Sequence, residues 1–209
     1  MPKISEIIQT VILTAALLFS LSTNTSSQSD INLKAITFSF LTAESNNSGI
    51  LKHKIDKHGF IIAEPGLLFS YEFFVRYLIY SLRVDQAVYL DAAGMPAGYT
   101  GFGFRARIFN KWKHSVNIGF GTAFHYRKSW TGIPGYTDDK TYSNSGNMQY
   151  YLKILTGGIE YNYYFNERID LSFGLSDCYK NKIMLTAGFR YWFSKKFQHH
   201  GDCDNCPKF

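Results

Sequence analysis

His125, Ser129 and the acids Asp138 and Asp139 are the residues of this chain best suited to covalent chemistry. A histidine that takes a proton from a serine hydroxyl, while a carboxylate orients its ring, is the arrangement used in nucleophilic acyl transfer. His125, Ser129 and Asp138 therefore form one candidate catalytic group. The alternative interpretation is a hydrogen-bonded histidine without a catalytic role.

The segment from 128 to 147 is the best candidate for a binding surface. It combines aromatic residues that we expect to be exposed with acids and turn-forming residues, and such loops commonly carry function on a rigid scaffold. Adjacent aspartates can contact a divalent cation, but two ligands are too few for a calcium site. An ordinary solvated loop is the alternative. The candidate contact residues are Trp130, Tyr136, Asp138, Asp139 and Tyr142.

The end of the chain carries the residue types of a metal site, namely His199, His200, Cys203 and Cys206. Two cysteines and two histidines can complete a tetrahedral zinc site. However, the sequence has no second spaced pair of ligands. An oxidising compartment would also allow a disulfide between the two cysteines, and a disordered tail is a further alternative. We therefore predict no cofactor.

The segments that would position these residues alternate between apolar and polar side chains, as strands do. We predict eight strands, at about 33–43, 59–74, 77–91, 99–109, 114–127, 148–165, 168–176 and 183–193. The short connections are 74–77, 110–113 and 166–168, and the connections that are longer or richer in turn residues are 44–58, 92–98, 128–147 and 177–182. This pattern predicts an all-β, up-and-down antiparallel transmembrane β-barrel with short periplasmic turns and longer extracellular loops.

Charged residues fall on one parity of these strands, which we assign to the barrel interior. They are Glu64, Glu72, Arg83, Asp85, Arg105, Arg107, Arg127, Glu160, Asp170 and Arg190. Acids and arginines are balanced in this set, and the balance favours a structural ion network. Eight strands enclose a space that side chains largely fill, which argues against a general porin. A narrow channel or a carrier of small apolar ligands is the alternative.

Aromatic residues collect beside the short connections and at the end of the last strand. Rings with an apolar body and a polar tip favour the headgroup level of a membrane, so we expect a belt at the periplasmic side. Its predicted members are Phe73, Phe74, Tyr77, Phe109, Trp112, Tyr163, Tyr164, Phe165, Tyr191, Trp192 and Phe193.

The last strand carries the clearest alternation in the chain. Leu185, Ala187, Phe189, Tyr191 and Phe193 share one face, and Thr186, Gly188, Arg190 and Trp192 share the other. This strand resembles the terminal strand of small, about eight-stranded, bacterial outer-membrane β-barrel proteins. The resemblance implies an integral place in the outer membrane, insertion by the barrel-assembly machinery, and contact with lipid and lipopolysaccharide. The resemblance is to this general barrel pattern, and the sequence matches no specific catalytic family.

Composition agrees with this assignment. The 209 residues suffice for one domain, and 17% of them are aromatic. The net charge of +6 is spread along the chain, so we expect no nucleic-acid partner. The apolar run from 7 to 21 has the proportions of a signal peptide. We therefore predict a signal peptide at 1–27, a monomeric barrel at 28–197 and a periplasmic tail at 198–209.

The leading hypothesis is a non-enzymatic outer-membrane barrel with a filled interior, acting structurally or through its outer loops. The alternative is an enzyme that modifies lipid A, as a deacylase or acyltransferase. Outer-membrane lipid A deacylases carry a His-x-Ser-Asn pattern, from which this chain departs because His114 and Ser115 are adjacent and face opposite sides of a strand. The position of His125 near the outer rim resembles that in palmitoyl-transferring barrels, without a shared motif.

Overall fold

The computed structural model describes residues 29–41, 48–76, 79–138, 140–179 and 182–193. The predicted signal peptide and the predicted tail both lie outside these ranges. No helix within them is long and apolar enough to cross a membrane. The regular elements they contain are a short 3-10 turn, Ser48–Ile50, and the following strands. These are β1 (Ser29–Leu41), β2 (Ile61–Arg76), β3 (Tyr80–Leu90), β4 (Pro96–Lys111), β5 (His114–Lys128), β6 (Ser143–Ser145), β7 (Met148–Tyr164), β8 (Ile169–Tyr179) and β9 (Lys182–Trp192).

The long strands form one closed antiparallel barrel. Each pairs with its neighbour in the sequence, β5 pairs with β7, and β1 pairs with β9, so that the sheet closes on itself. The short strand β6 lies outside this circuit and pairs only with the start of β7. The predicted all-β, up-and-down, eight-stranded architecture is therefore confirmed.

Side chains alternate between the barrel interior and its outer face along the strands. On β9, Arg190 and Trp192 are fully buried, whereas Phe189 and Tyr191 are exposed, as the alternation of the last strand predicts. Every long strand exposes at least one large apolar side chain on the outer face. Examples in chain order are Leu33, Leu67, Val88, Phe102, Phe120, Leu152, Phe173 and Phe189.

The two ends of the barrel differ in the length of their connections. At the short-turn end, the strands are joined by residues 77–79, 112–113 and 165–168. Trp112 has a φ of 57°, the left-handed conformation that two-residue hairpins favour. At the long-loop end, the connections are 42–60, 91–95, 129–147 and 180–181. The first strand begins and the last strand ends at the short-turn end.

The connection between β8 and β9 corrects one prediction. The predicted bounds of 177–182 are too wide, because the two strands continue to Tyr179 and Lys182, which pair with each other. The polar residues of this segment suggested a loop. A strand ladder uses backbone N–H and C=O groups, however, and every residue except proline supplies both.

The aromatic belt is also only partly as predicted. Phe109, Trp112, Phe165, Tyr191 and Phe193 are exposed beside the short turns or at the end of β9. Phe74 and Trp192 instead face the interior, where their rings stack with centroids 5.3 Å apart. Strand parity, rather than proximity to a turn, determines which rings reach the outer face. Tyr77 lies outside the described residues.

Candidate functional site

The interior next to the short-turn end holds a network of buried charges centred on Glu160 of β7. Its carboxylate accepts hydrogen bonds from Lys34 of β1, Arg105 of β4 and Arg83 of β3, the last at 3.0 Å. The side chains of Lys34, Arg105 and Glu160 are at most 5% exposed. Buried charges need such pairing because an unpaired ion in a low-dielectric interior is very costly. Glu160 therefore ties β7 to three strands across the barrel.

Glu72 of β2 is the second centre of this network. It accepts hydrogen bonds from Ser81 and Arg105, and its Oε2 lies 3.1 Å from Arg190 Nη2. Arg190 also donates to Asp30 Oδ2 from Nε at 2.8 Å and from Nη2 at 2.6 Å. These contacts join β9 to β1 and β2. The network therefore crosses the seam at which the barrel closes.

Arg83 extends the network along β3. Its Nε donates to Asp85 Oδ1 at 2.6 Å, and its Nη2 donates to Ser70 Oγ at 3.0 Å. Arg83 therefore holds two carboxylates at once, since its Nη1 reaches Glu160. This use of several guanidinium N–H groups explains why an arginine suits the position.

Aromatic rings and arginines occupy the short-turn end of the interior. The Arg190 guanidinium lies 4.4 Å from the centroid of the Trp192 ring, and that of Arg107 lies 6.0 Å from it. Trp192 Nε1 donates to Asp170 Oδ2 at 2.8 Å. Cation–π contacts with desolvated rings help to hold buried cations. The predicted interior residues Arg107, Asp170 and Arg190 thus lie together here.

An apolar layer lies on the other side of the ion network, towards the long-loop end. It is a single cluster of buried side chains from β1, β2, β3, β4, β5 and β9. These apolar side chains line the interior along six of the eight long strands, which disfavours the passage of ions beside them. Its members are Ile36, Leu68, Ala87, Tyr89, Ala97, Tyr99, Ala123 and Met184.

A cavity of about 80 Å³ lies against both the ion network and this layer. It is lined by charged members of the network, by Leu68 and Tyr99 of the layer, and by glycines of β4, β5, β7 and β8. A space of this size can hold a few water molecules. A Cβ atom at Gly121 would lie 2.4 Å from the carbonyl oxygen of Phe102, so β4 and β5 approach each other too closely there for a side chain.

The connections at the long-loop end fold into a packed cap above the apolar layer. Residues 50–51 and 92–93 pack against Ile62 and Trp130 in a second buried cluster. The Arg127 guanidinium lies 4.0 Å from the centroid of the Trp130 ring and 3.9 Å from that of Tyr142. Arg127 Nε also donates to Gln149 Oε1 at 2.8 Å. The predicted interior residue Arg127 thus lies at the base of the cap.

Asp91 links two connections of the cap. Its Oδ2 accepts a hydrogen bond of 2.7 Å from Trp130 Nε1, and its Oδ1 accepts one of 2.8 Å from the backbone N–H of Met95. Burial raises the pKa of Asp91, and these hydrogen bonds oppose the rise only in part. Asp91 is therefore a hydrogen-bonded carboxyl group that the fold holds in its protonated form to a higher pH than usual.

Glu64 lies beneath the cap, near the start of β2. It accepts a hydrogen bond from Ser39 Oγ at 2.6 Å and pairs with Lys182 at the start of β9. Both charged side chains are at most 5% exposed. The interior therefore holds charges at both ends of the apolar layer.

The three candidate catalytic residues do not form a relay. His125 faces the interior on β5, with its ring centroid 5.2 Å from that of Tyr99. Ser129 follows four residues later, which in extended chain is about 13 Å. The Ser129 hydroxyl pairs with that of Thr131, and Asp138 is exposed and accepts a hydrogen bond from Tyr136. The hydroxyl thus lies well beyond the reach of the imidazole.

The predicted binding loop differs from expectation in its aromatic residues. Trp130 and Tyr142 are buried, at 6% and 8% exposure, because they enclose Arg127. Their predicted exposure is wrong, because the polar composition of the loop gives no sign that these two rings pack against Arg127. Tyr136 is half-buried and receives hydrogen bonds from Arg127 and Gln149. Asp139 lies outside the described residues.

The predicted metal ligands His199, His200, Cys203 and Cys206 also lie outside the described residues. Within the described part of the chain, no group of three or more histidine, cysteine, aspartate or glutamate residues could hold a metal ion.

Several charged residues that the structure places inside the barrel are absent from the interior set predicted from the sequence. Asp30, Lys34 and Lys182 are each at most 5% exposed and are ion-paired. Lys34 shares the parity of the buried Asn32 and Ile36, which would have revealed its direction. Asp30 and Lys182 lie at strand ends that the predicted boundaries excluded.

These features define a closed eight-stranded antiparallel barrel with an apolar outer face, a charged interior and a capped end. Three solved structures are similar to this chain. The N-terminal β-barrel domain of Pseudomonas aeruginosa OprF matches with a TM-score of 0.47 and 13% identity, covering 80% of this chain and 100% of that one. Neisserial surface protein A matches with a TM-score of 0.47 and 10% identity, covering 80% and 97%.

The third, the attachment invasion locus protein Ail of Yersinia pestis, matches with a TM-score of 0.41 and 13% identity, covering 79% of this chain and 97% of that one. No protein-family model matches the sequence, and no curated protein is significantly similar to it. The assignment of the fold therefore rests on the strand ladders themselves.

Proposed function

We propose that this protein is an integral β-barrel of a bacterial outer membrane that does not conduct ions and acts through the folded cap at its outer end. The segment 1–27 would direct export, and the barrel-assembly machinery would insert the barrel.

The apolar outer wall carries this proposal. Side chains such as Leu67, Leu155 and Ile154 are 60%, 69% and 76% exposed. Water would make this exposure unfavourable, whereas the hydrocarbon of a bilayer would not. The closed ladder pairs backbone groups between neighbouring strands, as a spanning segment requires. Buried charges such as Glu72, Arg105 and Glu160 lie on the opposite face of the same strands.

The lengths of the connections support one orientation. Outer-membrane barrels have short periplasmic turns and longer extracellular loops. The connections 77–79, 112–113 and 165–168 would therefore face the periplasm, and the cap would face the cell exterior. Both ends of the barrel domain would then lie on the periplasmic side.

The filling of the interior supports a closed, non-conducting barrel. An ion passing along the axis would meet the network around Glu160, then the apolar layer, then the cap. Glu160 pairs with both Lys34 and Arg105, so these buried charges are engaged with one another and not with a passing ion. The wide aqueous interior of a porin requires more strands.

Membrane fractionation and gel mobility test the proposal. The protein expressed from its own sequence should sediment with the outer membrane, and an unheated sample should migrate differently on a gel from a boiled one. In planar bilayers the folded protein should show no discrete conductance. Recovery in the soluble periplasm, or identical mobility with and without boiling, would contradict a membrane barrel. Discrete conductance would contradict only the closed interior.

A further inference from the structure

Residues 51–60, which we call the rim segment, are held in place by backbone hydrogen bonds at the outer end of the barrel. Lys52 N–H donates to Ala92 O, Ile55 N–H donates to Ile61 O, and Ala63 N–H donates to His53 O, each at 2.9 Å. Leu51 is buried in the cap. The segment therefore lies against the top of β2 and the connection between β3 and β4. Its backbone is held on both sides.

The rim segment concentrates exposed positive charge. It reads Leu-Lys-His-Lys-Ile-Asp-Lys-His-Gly-Phe, and Lys52, Lys54 and Lys57 are exposed. None of the three forms an ion pair with a described residue. With its histidines neutral, the segment carries three lysines and one acid, so its charge is 3 − 1 = +2.

Asp56 does not neutralise these lysines by pairing with them. Its Oδ1 accepts a hydrogen bond of 2.7 Å from Ile61 N–H, and its Oδ2 accepts one of 3.2 Å from His58 N–H. These backbone hydrogen bonds, that of Ile61 first, lower the pKa of Asp56. The carboxylate therefore shapes the turn, and the three ammonium groups have no ion pair with any residue that the structure describes.

The same segment exposes two large apolar side chains. Ile55 is 58% exposed and Phe60 is 44% exposed. A soluble polyanion would use the lysines and gain little from these two residues. A lipid headgroup region offers phosphates beside the beginning of the hydrocarbon, and so matches both kinds of side chain.

We propose that the rim segment binds the phosphate groups of an anionic phosphoglycolipid in the surrounding outer leaflet. Lys52, Lys54 and Lys57 contact the phosphates, and Ile55 and Phe60 lie at the boundary with the acyl chains. This site rests on the proposed function, because only a membrane-inserted barrel places its rim at the level of lipid headgroups. Binding would hold the barrel at a constant depth in the leaflet.

The test compares lipid binding by the folded, full-length protein and its variants in dodecylmaltoside mixed micelles. Native mass spectrometry gives the fraction of protein with bound diphosphoryl lipid A as its mole fraction rises. Because each lysine near an anionic surface contributes on the order of 1 kcal/mol, K52Q/K54Q/K57Q should bind on the order of 100-fold more weakly. K52R/K54R/K57R keeps the charge and should bind like the wild type. K111Q/K113Q/K140Q removes the same charge elsewhere and should lose much less.

The apolar residues separate a lipid from a soluble polyanion. I55S/F60S should weaken the binding of lipid A several-fold and leave the binding of heparin, used as a soluble probe, unchanged. Equal losses of lipid A binding in the two glutamine variants would overturn the proposal, because net charge alone would then set the affinity. Lipid A binding unaffected by I55S/F60S would overturn it in favour of a soluble polyanion.

Gel mobility separates this proposal from the function on which it rests. If the wild type lacks heat-modifiable mobility, the membrane barrel itself is refuted. If every variant forms a heat-modifiable barrel and K52Q/K54Q/K57Q binds diphosphoryl lipid A like the wild type, only the lipid site is refuted.

Discussion

Replacing Glu160 by glutamine tests the energetic role of the ion network most directly. The substitution keeps the shape of the side chain and removes the charge that faces Lys34, Arg83 and Arg105. Arg105 keeps Glu72, and Arg83 keeps Asp85. Lys34 has no other ion pair with a described residue, so it becomes a buried cation without a counter-ion. Removing one partner of a buried pair costs about 3–5 kcal/mol, which is the loss we expect in the free energy of unfolding.

A double-mutant cycle with K34M identifies the cause. K34M removes the cation that E160Q leaves unpaired, so the double variant should lose less stability than the sum of the single variants. The expected coupling is about 1–3 kcal/mol. D177N is the matched control, because Asp177 pairs with Lys153 at 2.5 Å but is 53% exposed. An exposed pair contributes about 0–1 kcal/mol.

Urea unfolding of the barrel in phospholipid vesicles, followed by tryptophan fluorescence, measures these free energies. A loss of stability in E160Q no larger than that in D177N would contradict the energetic role of the ion network. Simple additivity of the losses of E160Q and K34M would contradict it as well, since the two side chains would then not stabilise each other.

Three further predictions concern other parts of the barrel. The fold favours protonated Asp91, so the stability of the cap should fall as pH rises through the raised pKa of this residue, and D91N should abolish this dependence. Limited proteolysis of the cap at graded pH measures its stability. An unchanged pH profile in D91N would exclude Asp91 as the titrating group. G121V should prevent the barrel from forming, because the added Cβ would meet β4. G157A has open space at its position and should form a normal barrel; heat-modifiable gel mobility measures both outcomes. If both variants folded, the close approach of β4 and β5 would be contradicted. In vesicles of brominated lipid, fluorescence quenching should require Trp112, which is 82% exposed, and W112F should remove it; quenching that persists in W112F would contradict the burial of Trp130 and Trp192.

The strand pattern allowed most of the barrel to be predicted because alternation is a local property of the sequence. The parity of Phe189 and Tyr191 is enough to place Arg190 inside, and closure then follows from the order of the strands. Strand ends were less predictable. The polar segment near Tyr179 suggested a loop, although its backbone groups could continue the ladder.

The cap and the rim segment could not be predicted in the same way, because they depend on contacts between distant parts of the chain. Nothing local to Trp130 indicates that its indole N–H meets Asp91 or that its ring covers Arg127. The lysines of the rim segment are visible in the sequence. Their arrangement is not, because it depends on backbone hydrogen bonds to Ala92 and Ala63.

The pairing of Arg190 with Asp30 has a consequence for how the barrel is made. These residues are 160 positions apart, and they belong to the last and first strands. Neighbouring hairpins can form from short stretches of chain, but this ion pair needs both terminal strands in place. Bringing such distant strands together carries the largest loop-closure entropy of any ladder in the fold. The charge pair therefore forms only when the barrel closes, and it stabilises the completed barrel and no earlier intermediate.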